Sequence, residues 1–108
     1  MRRISMCITL AFVALVAAPA VVAQETAGGI AGVARDTAGA VLPGALVEAV
    51  GPAGKVTTVT DERGEYRFPR LPSGRYTVTA SLQGFTSSTT QSEVVVGSVI
   101  TIFIQLKI

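Results

Sequence analysis

The chain has 108 residues, with nine Lys or Arg against seven Asp or Glu, one Cys, no His and no Trp. That length holds one small domain at most. The missing His and the near absence of Cys remove imidazole- and thiolate-based catalytic and metal-binding arrangements from consideration.

The N-terminus reads as a secretory signal peptide over residues 1–23. Met1-Arg2-Arg3 is a positive start, Ile4 to Val16 is an almost uninterrupted apolar run, and Val21-Val22-Ala23 places small residues where a signal peptidase cuts. Cleavage after Ala23 is expected, leaving Gln24 first, with Ala20 as a second acceptable site. An uncleaved anchor is the alternative, because Ile4 to Ala23 approaches the ~20 residues that span a bilayer; Pro19 and the small-residue cluster favour cleavage. Cys7 precedes any apolar segment that could be threaded, which argues against a lipoprotein. Arg2 and Arg3 leave with this segment, so nine basic residues become seven, equal to the seven acidic ones. The mature chain is formally neutral, and nucleic-acid binding, which needs a persistent basic excess on one face, is not expected.

From Gln24 onward no window repeats apolar residues at helical spacing without a Gly or Pro breaking it. Short alternating runs separated by turn residues recur instead, about seven of them, as in a sandwich. The first, Gly29 to Arg35, ends in the polar turn Asp36-Thr37-Ala38-Gly39. Pro43-Gly44 leads into Ala45 to Val50, where Ala45, Val47 and Ala49 share a face. Gly51-Pro52-Ala53-Gly54 turns into Lys55 to Thr60, a Thr and Val run of high strand propensity. Asp61-Glu62-Arg63-Gly64 places Asp where its carboxylate can accept backbone N–H groups and Gly where positive φ is needed.

Glu65 to Arg70 sets Tyr66 and Phe68 on one face, Leu71-Pro72-Ser73-Gly74 turns again, and Arg75 to Gln83 alternates Tyr76, Val78, Ala80 and Leu82 against Thr77, Thr79, Ser81 and Gln83. After Gly84-Phe85, the polar run Thr86 to Ser92 reads as a sheet edge or a solvated strand. A last strand follows Gly97-Ser98, with Ile100, Ile102, Ile104, Leu106 and Ile108 on one side. The predicted core includes Tyr66, Phe68, Tyr76, Val78, Leu82, Ile102 and Ile104.

The order Ile30-x-Gly32, Asp36-x-x-Gly39, Pro43-Gly44-Ala45-x-Val47, Thr60-Asp61-x-x-Gly64-x-Tyr66-x-Phe68, Leu71-Pro72-x-Gly74-x-Tyr76-x-Val78 and Gly84-Phe85 resembles the carboxypeptidase regulatory-like domain over nearly all of Thr26 to Lys107. The resemblance implies a seven-stranded prealbumin-like β-sandwich with a carbohydrate-binding-like fold over residues 24–108, whose motif residues are structural. It also implies a setting, the N-terminus of TonB-dependent outer-membrane receptors of Gram-negative bacteria, and hence a periplasmic or cell-surface location. Ala34 departs from the larger β-branched residue usual in that family, and a loosely packed first strand is expected there.

Catalysis is not expected: from Gln24 onward the chain holds no His, Cys or Asn. No cofactor, metal or catalytic residue is assigned. Asp36, Asp61 and Glu62 could be imagined on a calcium ion, but without dense D-x-D spacing the aspartates read as turn caps. A Lys55 or Lys107 isopeptide bond to Asp is unmarked by any motif. The expected role is a non-catalytic envelope interaction module whose partner is another envelope protein or receptor domain, with strand addition at a free sheet edge as one mode. Sugar binding is the alternative, and it needs an exposed aromatic platform. Phe85 and Phe103 are its only candidates, and both are expected to be buried.

Overall fold

A computed structural model describes residues 27–108; the signal-peptide reading lies outside them. Eight strands form among the described residues: β1 (Ala27–Asp36), β2 (Leu46–Gly51), β3 (Gly54–Val59), β4 (Glu65–Pro72), β5 (Gly74–Ser81), β6 (Ser88–Val94), β7 (Val99–Thr101) and β8 (Ile104–Leu106). They build two sheets: β4-β1-β7, with β8 also on β1, and β3-β2-β5-β6. All pairings are antiparallel except those of β1 with β7 and β8. The fold is therefore the expected all-β sandwich, with eight strands rather than seven.

Period-2 alternation explains the core. Ala45 just before β2, Val47 and Ala49 of β2, Tyr76, Val78 and Ala80 of β5, and Tyr66 and Phe68 of β4 point between the sheets and are buried. Leu82 and Ile102 sit half-buried against this cluster, and Ile104 and Leu106 complete it. Tyr66 and Phe68 meet edge to face, with ring centroids 6.2 Å apart and planes at 68°. Tyr76 lies against Gly51, which has no Cβ to obstruct the ring, and its hydroxyl donates to the Pro72 carbonyl at 2.7 Å.

Ala34 does not leave β1 slack at this point. It is fully buried, its N–H donates to Gly64 O at 2.8 Å, and its carbonyl accepts from Leu42 at 2.9 Å. A larger side chain is unnecessary where Leu42 and the β3–β4 turn close over the position.

The turns follow the expected chemistry. Asp36 Oδ1 accepts the N–H groups of Ala38 and Ala40, and Asp61 Oδ1 those of Arg63 and Glu65. Gly64 and Gly74 hold φ of +75° and +144°. At Gly64 a Cβ would also stand 2.8 Å from the Ala34 carbonyl oxygen, whereas at Gly84, φ +92°, it would meet nothing. Gly64→Ala should therefore cost about 2 kcal/mol, combining backbone strain with a backbone clash, and Gly84→Ala only about 1 kcal/mol. Chemical denaturation of the two variants checks the ordering; equal losses would mean the β3–β4 turn is not held against β1.

Among the described residues Thr60 is the one buried polar side chain that is not aromatic, 4% exposed. Its hydroxyl donates to Leu42 O at 2.5 Å and accepts from Ala45 N at 2.8 Å, fastening the Pro43-Gly44 turn to the end of β3. A buried hydroxyl with both roles filled stabilises rather than burdens the core.

Candidate functional site

The last predicted strand breaks in two, and the break makes the most distinctive surface of the domain. Register on β1 runs on unchanged across it, Ala31 opposite Thr101 and then Ala34 opposite Ile104. Between them Ile102 donates its N–H to Ala31 O at 2.8 Å, while its carbonyl accepts the Tyr66 hydroxyl at 2.7 Å. Tyr66 stands directly across from Gly32 on β1. A Cβ at Gly32 would collide with the Ile102 carbonyl oxygen and lie 2.8 Å from Tyr66 Oη. Glycine thus opens the path by which a tyrosine on one neighbouring strand takes the carbonyl of the other.

Strand alternation then turns Phe103 outward, between the inward-facing Ile102 and Ile104. Phe103 is 73% exposed, contrary to the expectation of burial. Phe85 is half-buried and packs against the core. Ile108, expected on the inner row, is 91% exposed, because it lies beyond the end of β8. Periodicity alone cannot tell where a sheet stops covering a row, which is why Ile108 was misplaced; at Phe103 the apolar character of the ring outweighed an alternation that sets it opposite Ile102 and Ile104.

Phe103 rims an open groove of about 540 Å³ lined by β1, β4 and β7 and, from the other sheet, by Thr58 and Val59 of β3. Ala31 and Gly32 are part of its floor, and Glu65, Arg67, Asp61 and Thr101 bring polar groups to it. The two backbone N–H groups of Glu65 and Arg63 hold the Asp61 carboxyl below the usual carboxylate range, so it is charged at neutral pH. Burial pushes the Tyr66 phenol up from 10.0 to about 12 and also raises Tyr76. Unfolding releases Tyr66 to ionise near its ordinary value. Its stabilising share is then complete below about pH 10 and disappears as the pH rises toward 12. Thermal melts should show a steeper alkaline loss for the wild-type chain than for Tyr66→Phe; parallel curves would contradict the buried hydroxyl.

The other candidates do not converge. Asp36 and Asp61 serve their own turns, and no group of three or more His, Cys, Asp or Glu lies together among the described residues. Lys55 pairs with Glu48 at 3.3 Å on the solvent side of β2 and β3, an exposed ion pair worth little. Lys107 is exposed, and its carbonyl accepts the Thr86 N–H at 2.6 Å. The polar run after Phe85 becomes β6, which is a free edge of the second sheet.

The two sheets, the capped turns and the glycine-bearing first strand define an all-β regulatory-type sandwich. The chain belongs to the carboxypeptidase regulatory-like domain family, whose profile matches residues 29–107. Among solved structures it is similar to the Bacillus anthracis TIE protein (TM-score 0.68, 23% identity), covering 77% of this chain and 17% of that one. It is also similar to BcpA, the major pilin subunit of Bacillus cereus (TM-score 0.60, 19% identity), over 76% of this chain and 30% of that one. The third likeness is to chlorocatechol 1,2-dioxygenase from Pseudomonas putida (TM-score 0.58, 15% identity), over 80% and 63% respectively. At these identities the likenesses define the fold. No curated sequence matches the chain.

Proposed function

We propose that the chain is a non-catalytic interaction module of the bacterial cell envelope, exported by Met1 to Ala23 and acting alone or as the N-terminal extension of a TonB-dependent receptor. The observation that carries this reading is where the polar side chains are used. Asp36, Asp61, Thr60, Tyr66 and Tyr76 all spend their hydrogen bonds on turns and on the core, so that among the described residues none of these five is poised as a nucleophile beside a base. The likeness to pilin subunits supports a domain that works by contact rather than by chemistry.

Fractionation of cells producing the full chain tests the location. The expected result is protein in the periplasmic or outer-membrane fraction with Gln24 or Val21 as its first residue. Met1 retained in the inner membrane would favour an anchored form, and a cytosolic pool would overturn the proposal.

Sugar binding is the second reading, and one observation favours it: Phe103 offers an exposed ring beside Arg67, Glu65 and Thr101. A glycan array separates the two readings. Binding that disappears in Phe103→Ala, with the thermal melt unchanged, would replace the protein partner by a carbohydrate. Phe85 no longer qualifies as a platform, since its ring contributes to the core.

A further inference from the structure

Four edges end the two sheets, and three carry devices that discourage pairing. β4 contains Pro69 and Pro72, which lack an N–H, and its register with β1 shifts between Gly28 and Ile30. β7 and β8 are three residues each, with the Ile102 break between them. β3 starts at Gly54 and carries Lys55. β6 has none of these features: its seven residues, Ser-Thr-Thr-Gln-Ser-Glu-Val, contain no Pro, Gly, Lys or Arg. It pairs with β5 without a shift from Gly74↔Val94 to Ala80↔Ser88.

The geometry points to β6 as a self-association edge, at which a second copy of this chain pairs its own β6 antiparallel about a two-fold axis through Gln91. The unprotected edge and its charge pattern suit this occupant, and the strand's symmetry permits it. Gln91 is the midpoint of Ser88–Val94, so a two-fold there pairs all seven residues. It also sets outer-row Thr89, Gln91 and Glu93 against the same outer row of the copy, and Ser88, Thr90, Ser92 and Val94 against the inner row. Lastly, the arrangement keeps like charges apart. Glu93 is the sole charged residue of β6, and it meets Thr89 of the second copy rather than another Glu93. Arg75 stands opposite Glu93 in the β5–β6 register. Parallel self-pairing in register would instead place the two carboxylates together, which is unfavourable.

Across the seam the two four-stranded sheets become one continuous sheet. Seven strand residues a side give less contact than the roughly 1,200–2,000 Å² of a stable complex, so the dimer is concentration-dependent. This inference concerns the purified chain and stands or falls whether or not the protein reaches the envelope.

The test uses the chain from Gln24 onward, which contains every strand described and, with Cys7 removed, no cysteine. Residues facing each other in an antiparallel pair have Cα atoms ~4.5–5.5 Å apart, within disulfide range. Under mild oxidation Gln91→Cys should therefore form a covalent dimer by itself. Thr89→Cys and Glu93→Cys should each remain monomeric, yet cross-link when mixed. All three positions are exposed, so the fold should be retained, and circular dichroism melts verify this. Sedimentation of the unmodified chain should show the mass rising toward double as concentration increases to ~1 mM. A single-chain mass throughout, no cross-link at Gln91→Cys, or equal cross-linking by the three variants would overturn the inference.

Discussion

Tyr76→Ala should reduce the unfolding free energy by about 4 kcal/mol, the range for removing a buried aromatic ring from a core. The ring is 1% exposed, stacked in the space that Gly51 leaves free, and its hydroxyl is bonded to the Pro72 carbonyl. Tyr76→Phe keeps the packing and loses only that hydrogen bond, so a loss of about 1 kcal/mol is expected. A small sandwich has ~5–15 kcal/mol of stability in total, so the alanine variant should stay folded in water but give up a large share of its margin. Urea titration of the two variants measures the difference; a Tyr76→Ala loss below ~1 kcal/mol would show that the β5 face is not the core.

The second large effect is expected at a residue with no side chain. Gly32→Ala drives a methyl group into the Ile102 carbonyl oxygen, a backbone atom that cannot rotate aside, and against the Tyr66 hydroxyl. Relief requires separating β1 from the β7–β8 path, with a cost of about 3 kcal/mol or more, at the upper end of overpacking. Gly39→Ala is the control for a change without a clash: its φ is +91°, so backbone strain of about 1 kcal/mol is expected, but a Cβ there meets nothing within 4 Å. Comparable melting temperatures for the two variants would show that Ile102 does not approach β1 as described.

The sandwich was legible because its signals are local. Alternation over Arg75 to Gln83 and turn residues such as Asp61 and Gly64 act within a few positions, and there the structure follows the sequence closely. Thr60 was noticed only as part of a motif; its two hydrogen bonds reach Leu42 and Ala45, 18 and 15 positions away. Gly32, Tyr66 and Ile102 form the same kind of long-range arrangement, with the tyrosine 36 positions from the carbonyl it holds. Nothing in the run of Ile100 to Leu106 marks Ile102 as the residue whose carbonyl leaves the ladder. Phe103 was misjudged for a different reason: an aromatic in an apolar strand suggests a core, although alternation sets it on the row opposite Ile102 and Ile104.

The parallel pairing of the first strand with the last two has a mechanical consequence. Ala27 and Ile108 lie toward opposite ends of the sandwich, because β1 and β8 run in the same direction side by side. Tension applied between these two points pulls the adjoining strands along their length in opposite senses. The three residue pairs on β7 and the three on β8 are then loaded in shear, all at once, rather than peeled apart one after another as in a hairpin. Forced unfolding is governed by the barrier to that first rupture. The Tyr66 bond to Ile102 spans the gap between the two short strands and ties the load-bearing seam to β4 as well. A domain strung in series by its two ends would therefore hold its length under traction until this patch gives way as a unit.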